Sequence, residues 1–348
     1  MSEKVRSKLT LRGERVDVSA HDVMALVVEV FVRVGCSDDI ARSVAEHLTD
    51  TSLCGMESHG LMRTLQYVDQ YRSGYIRADA KPRVHTTDRG TLEIDGGGGI
   101  GIPAMRLAYQ EGMAAARETG LSALAVRHVG HTGRVGAFAD EAAEQGFLTL
   151  CAGGGNRHLY PMVAPHGGAR GMLPTNPWCI GIPGGERGPV VLDFATSKIA
   201  GGWIYAAKSA GALLPEDCLI DAHGNPTREP DDYFDGGAIL PAGAQKGYAL
   251  ALVAELIAEA MLGPSTTECN WLLLTVSTAR FREPSRMQVA AEAVLAELRD
   301  CPPAPGVERV EIPGEREREH RARSNGVVSI PEETWQQMLA LHESLAGG

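Results

Sequence analysis

The sequence predicts an α/β protein whose first lobe opens with helices. Apolar residues at helical spacing run almost to Gly74, and beyond residue 84 short apolar runs that read as strands alternate with helical patterns. Size adds a third observation. With 348 residues and 44% hydrophobic content the chain can bury a large core, yet it is long for one compact unit, so two lobes are expected.

The elements follow in order. Residues 1–15 are polar and mixed in charge and read as a loose or edge-lying arm. Ser19 with Asp22 resembles a helix cap ahead of the apolar run Val23 to Val34, and Ser37 caps a second helix through Ile40, Val44 and Leu48. A third amphipathic pattern, Leu61, Leu65, Val68 and Tyr71, ends at Gly74. Strands are expected near 84–94, 121–126, 148–152, 178–182, 190–194, 271–276 and 307–312, with helices near 103–117, 249–261, 286–298 and beyond Pro331. Residues 221–245 are rich in Gly, Pro and Asp and read as a long connection. The helix from Ala249 to Met261 is apolar over so wide an arc that a buried, central position is expected. Residues 315–323 read as a solvated helix face.

Composition excludes several classes of function. A formal net charge of −11 argues against nucleic acid and anionic lipid as partners. No apolar stretch of about 18 residues is present, so no membrane span is expected. The start lacks an apolar signal region, and seven scattered cysteines form no C-x-x-C pair, which points to a reducing, cytoplasmic setting.

Four stretches carry chemistry. Ser58-His59-Gly60 with Arg63 puts a hydroxyl, an imidazole and a guanidinium together at a helix start. His59 and Arg63 are four apart and Tyr67 extends the line, so all three are expected on one helix face. An arginine there can hold a carboxylate bidentately; read from spacing alone, the stretch is equally a helix start capped by Ser58 with two solvated polar residues. The glycine run at 96–101 contains G-x-G-x-x-G between a strand and a helix, the setting of a dinucleotide loop. The following strand ends in Arg127-His128 rather than a ribose-binding acid, and four successive glycines meet the pattern easily. His128 and His131, among glycines, offer titratable rings; the open readings are acid/base or substrate-binding work, a plain polar loop, and a metal site with His158 and His166 that would serve a metal-dependent hydrolase. Asp193 to Lys198 reads as a buried strand breaking into hydroxyl-rich residues, suited to phosphate or ribose, or equally as a strand end before a capped helix.

Taken together, six segments occur in one order: Ser58-His59-Gly60 with Arg63 and Tyr67; His131-x-Gly133 with Gly136; Thr175-Asn176-Pro177; Asp193-Phe194-Ala195-Thr196-Ser197; Lys246-Gly247-Tyr248; and Pro313-Gly314-Glu315. That order and spacing resembles the malate/L-lactate dehydrogenase family of the non-Rossmann type, which includes sulfolactate and ureidoglycolate dehydrogenases, diketogulonate reductase and piperideine-2-carboxylate reductase. The resemblance covers about residues 18 to 340.

The resemblance implies an α/β fold with a non-Rossmann NAD(P)-binding domain, built on a largely antiparallel sheet over 89–299, and a helical substrate and dimerisation domain over 1–88 with 300–348. It implies that the run at 96–101 is not the dinucleotide loop. It further implies hydride transfer between NAD or NADP and C2 of a small 2-hydroxy or 2-oxo acid, or of a cyclic 2-imino acid, and a homodimer. Matched onto this sequence, His59, His131 and Ser58 are the catalytic candidates. Arg63, Tyr67, Arg134, Thr175 and Asn176 are candidates for substrate. The cofactor falls to Asn156, to Asp193, Phe194, Ala195, Thr196, Ser197, Lys198 and Ile199, to Gln245 and Lys246, and to Pro313, Gly314 and Glu315. No metal is implied.

Overall fold

A short strand, β1 (Arg15–Ser19), leads into α1 (Ala20–Arg33) and α2 (Asp38–Leu53) in the computed structural model, which describes residues 14–209 and 211–347. The arm expected over 1–15 thus lies largely outside the described residues. In α1, Val23, Val27 and Val30 turn inward, and in α2 Ile40, Val44 and Leu48 do the same; both spacings stack apolar side chains on one helix face. Ser19 and Ser37 occupy the caps, but neither makes a side-chain capping bond, so Asp22, Asp38 and Asp39 favour the helix starts through the dipole instead. After a single 3-10 turn at Glu57–His59 comes α3 (Arg63–Arg72).

The strands β2 (Arg83–Thr86) and β3 (Leu92–Gly99) pair antiparallel, and α4 (Gly101–Thr119) crosses to β4 (Leu121–Val129), which is parallel to β3. Next come α5 (Gly136–Glu144), β5 (Phe147–Gly154), β6 (Trp178–Gly185) and β7 (Gly188–Phe194). The expected long connection holds small elements: α6 (Gly201–Ser209) precedes it, then β8 (Leu219–Ile220), β9 (Pro226–Thr227), α7 (Pro230–Phe234) and β10 (Ala238–Ile239). The chain finishes with α8 (Gln245–Glu255) and its π-helical continuation Leu256–Met261, β11 (Cys269–Ser277), α9 (Pro284–Arg299), α10 (Glu315–Ser324), β12 (Val327–Pro331) and α11 (Glu332–Ala346).

The main sheet has seven strands in the order β2-β3-β4-β11-β5-β6-β7 and is mostly antiparallel, as the resemblance implied. β1 and β12 form a two-stranded sheet, and β10-β8-β9 a three-stranded one. By its own contacts the chain divides into two compact units. One takes Ala152–Trp178 and Phe194–Trp271; the other takes the described residues up to Cys151, Cys179–Asp193, and those from Leu272 onward. These compact units divide the chain differently from the functional domains expected at 88/89 and 299/300, since α4 packs on α2 as well as on β3 and β4.

Three expectations fail for identifiable reasons. Residues 307–312 form no strand. Pro302, Pro303, Pro305 and Pro313 surround them without a donor to offer a ladder, and Arg309 is drawn into an ion pair with Glu319. The α8 helix is not central. It buries Gly247, Ala251, Ala254 and Glu255, leaving Leu252, Val253 and Leu256 exposed on the other side. The charged helix α10 is not wholly solvated, since Glu315 is 5% exposed and accepts hydrogen bonds from Arg299 Nε (3.0 Å) and Nη2 (2.7 Å). Removing one partner of such a pair strands a buried charge. Arg299→Met should therefore destabilise the protein by about 3 kcal/mol, read as a lowered midpoint in urea unfolding, whereas Arg323→Met, whose partner Glu319 also holds Arg309, should change little.

Candidate active site

The glycine run sits where β3 meets α4, and its glycines serve close backbone packing. A Cβ on Gly96 would lie 2.4 Å from Val129 and 2.8 Å from the His128 carbonyl, so a glycine here lets β3 lie close against β4.

The N-terminal unit brings together Ser58, His59, Arg63, Tyr67 and His131. His59 and Arg63 do not share one helix. Gly60 ends the 3-10 turn with φ −94° and ψ −149°, and α3 starts only at Arg63. The two are joined instead by Arg63 Nε, which donates to the Ser58 carbonyl at 2.6 Å. Ser58 Oγ lies 2.9 Å from His59 Nδ1 and orients the ring. Tyr67 is fully buried on α3, one turn beyond Arg63, and its hydroxyl lies 2.6 Å from His131 Nδ1. The centroids of the His59 and His131 rings are 5.4 Å apart.

The turn that carries His131 settles the state of its ring. Gly133 N–H donates to His131 Nδ1 at 3.2 Å, and an amide N–H can only donate. Nδ1 is therefore an acceptor, Tyr67 O–H donates to it as well, and the proton of the neutral ring resides on Nε2. Desolvation pushes the pKa of His59 down to about 4, with Arg63 and then Arg134 adding to the effect. The same cause, followed by Arg63, His59 and His47, holds His131 well below the ordinary histidine range. Two neutral imidazoles thus face one another beside Arg63, which pairs with no carboxylate among the described residues. Its other contact is to Gln66 Oε1, and the remaining guanidinium can meet an anion.

Arg134, expected to bind substrate, lies buried against the end of α2. It is 7% exposed, and its Nη2 donates to Asp50 Oδ2 at 3.1 Å and to Cys54 Sγ at 3.6 Å. Asp193 Oδ2 accepts from Gly136 N–H at 2.6 Å, at the start of α5. Pro313 contributes its carbonyl to Val191 N–H, Gly314 adopts φ +92°, and Glu315 is held by Arg299.

In the other unit Thr175, Asn176, Asn156 and Thr196 lie close to a residue the sequence reading missed. Glu255 Oε2 accepts from Asn176 Nδ2 at 2.7 Å and from Gly155 N–H at 3.0 Å. Thr196 donates from its amide and its hydroxyl to the Thr175 carbonyl, both at 2.9 Å. Ser197 Oγ donates to the Ile199 carbonyl, and Lys198 sits 3.9 Å from Asp217. Gln245 and Lys246 are exposed at the start of α8, while Phe194 and Ala195 are half-buried. Asn156 Oδ1, Asn176 Oδ1 and Glu255 Oε1 are buried acceptors that no donor among the described residues meets. The signal for Glu255 was there to be read: a carboxylate inside the apolar run from Ala249 to Met261. His47 was likewise missed, although its spacing from Val44 puts it on the buried face of α2. His128 pairs with Asp95, His158 and His166 are exposed, and among the described residues no three His, Cys, Asp or Glu side chains converge as a metal site would require.

Two measurements check this geometry. The folded rings of His47 and His59 titrate near 3 and 4, against an ordinary value of 6.5. Below about pH 6.5 the unfolded chain binds protons that these rings refuse, so the thermal midpoint should fall steadily from pH 6.5 toward pH 4. Arg63→Met removes a cation beside His59 and should raise the pKa of that ring, read by NMR titration.

Comparison with known proteins shows the family. The family model described as malate/L-lactate dehydrogenase matches residues 18–339. An L-lactate dehydrogenase of Cupriavidus necator is 35% identical over 325 residues, covering 88% of this chain and 91% of that protein. A Delta(1)-pyrroline-2-carboxylate/Delta(1)-piperideine-2-carboxylate reductase of Pseudomonas putida is 34% identical over 242 residues, 70% of each chain. In fold alone, the malate dehydrogenase of Entamoeba histolytica superposes with a TM-score of 0.88 at 23% identity, over 96% of this chain and 99% of that one. A match across nearly the whole chain, in motif order and in fold, makes this protein a member of the malate/L-lactate dehydrogenase family, and so an oxidoreductase.

Proposed function

We propose that the protein is an NAD(P)-dependent dehydrogenase of a small 2-hydroxy acid, acting reversibly as a 2-oxo acid reductase. The observation that carries this reading is the pair of neutral imidazoles, His59 and His131, beside Arg63. Arg63 holds the substrate carboxylate. His131, its proton kept on Nε2, donates a hydrogen bond to the oxygen on C2 and polarises it. His59, oriented by Ser58, exchanges the proton with that oxygen. A carboxylate on Arg63 cancels part of the cationic field that, after desolvation, depresses His59.

A nicotinamide cofactor would supply or accept the hydride at C2. The buried acceptors on Asn156, Asn176 and Glu255 fit a group rich in N–H and O–H donors, such as a carboxamide or a ribose. With them, the segment from Asp193 to Ile199, Gln245, Lys246 and Pro313-Gly314-Glu315 would hold NAD or NADP, within an NAD(P)-binding region over 89–299. Residues 1–88 and 300–348 would serve substrate and dimerisation. The exposed apolar stripe Leu252, Val253, Leu256 and Met261, within 89–299, would add to the surface that a homodimer covers. No described helix is long and apolar enough to cross a membrane, and five of the seven thiols are free and buried, which favours the cytoplasm.

A second reading, reduction of a cyclic 2-imino acid, is supported by the likeness to the Pseudomonas putida reductase, since the same carboxylate clamp would serve. Pyruvate, oxaloacetate, sulfopyruvate and a cyclic 2-imino acid, each assayed with NADH and NADPH, decide between them. Turnover of none, without binding of either cofactor, sinks both readings. Arg63→Ala should raise KM at least tenfold with cofactor affinity unchanged. His59→Ala should lower kcat by roughly 10²–10⁴, and a larger loss in His131→Ala would exchange the roles of the two histidines.

A further inference from the structure

Beneath the turn that carries His131 lies a third histidine, outside the pair that faces substrate. His47 projects from α2, is 3% exposed, and stacks on Phe138 with centroids 4.9 Å apart and planes 19° from parallel. Its Nε2 lies 3.0 Å from the Arg134 amide, which donates to it. Two successive amides of one turn, Gly133 and Arg134, therefore each end on an imidazole: the first on His131 and the second on His47.

The neighbourhood is built around that second contact. Gly133 adopts φ +70°, and a Cβ there would stand 2.3 Å from His47 Nε2, so ring and backbone approach as closely as a glycine permits. Along the same face of α2, one and two turns on, Asp50 and Cys54 take the Arg134 guanidinium. Arg134 is thus gripped at its backbone by His47 and at its side-chain tip by Asp50. Desolvation depresses the His47 pKa to about 3, so the ring stays neutral and Nε2 remains an acceptor.

We propose that His47 is a positioning residue for the reaction: by accepting the Arg134 amide it sets the turn that aims the Gly133 amide at His131 Nδ1, and so fixes which nitrogen of His131 presents a proton to substrate. The part about substrate rests on the proposed role of His131 as polariser; the part about the tautomers does not. An acceptor must be present at this position. A side chain that merely fills the space would let the turn relax, and His131 would sample both neutral tautomers, one of which presents a lone pair where a proton is needed.

Selective ¹⁵N-histidine labelling with ring ¹H–¹⁵N correlation tests this in the unaltered protein, without substrate. His47 should show its proton on Nδ1 and His131 on Nε2. A proton on His47 Nε2 overturns the proposal, whatever the substrate proves to be. Two variants extend the test. His47→Phe keeps the stack on Phe138 and removes the acceptor; His47→Gln keeps a carbonyl acceptor. His47→Phe should mix the His131 tautomers and lower kcat by roughly a hundredfold, with NADH affinity within about twofold of the parent, and His47→Gln should restore most of both. Retention of the Nε2–H signature and of kcat in His47→Phe, or equal loss in both variants, overturns it. Restored tautomers with no turnover in any form of the enzyme would count against the proposed function alone.

Discussion

An amide N–H can donate a hydrogen bond and never accept one, and much of this active site depends on that asymmetry. Two consecutive amides leave the turn after β4 and meet ring nitrogens of His131 and His47. Each ring thereby has one nitrogen assigned as acceptor, and a neutral imidazole must then carry its proton on the other. The turn is held at its edges as well, with the His131 carbonyl accepting the first amide of α4 and the Arg134 carbonyl accepting the amide of Ala137. Tyr67 adds a second donor to His131.

Charge then divides the work between two arginines that look alike in sequence. Arg134 is buried and paired with Asp50, so its cost of burial is partly offset. Arg63 is half-buried and lacks a carboxylate partner among the described residues, which leaves a local positive field in a chain whose net charge is −11. That field and desolvation act in the same direction on His59 and His131, and both keep the rings neutral. A bound anion is the natural counterweight. In the other unit the logic is inverted: Glu255 is a buried acid whose two donors, Asn176 and Gly155, come from the strand end and loop that the sequence marks with Gly153-Gly154-Gly155-Asn156 and Thr175-Asn176-Pro177.

Helices and strands with strong periodicity were legible from residues alone, because burying an apolar stripe on α1, α2 or α4 needs only local spacing. The strand expected at 307–312 was not, because alternation without a partner strand makes no ladder. The position of α8 was misread for a related reason. Apolar composition states what a helix can bury, and says nothing of whether anything in the same chain covers it.

For the site, the order of the six motifs was enough to establish the family, and Ser58, His59, Arg63 and His131 do lie together. What the sequence could not decide was pairing. Arg134 differs from Arg63 in its contacts because Asp50 stands beside it, 84 residues away in sequence. His47 and Glu255 carry no motif and gain their roles from a turn and a strand end that arrive from elsewhere in the chain. Residue type and spacing determine which groups are available for chemistry. Which nitrogen holds a proton and which cation is left for a ligand are properties of contacts between distant segments, and only the tertiary structure decides them.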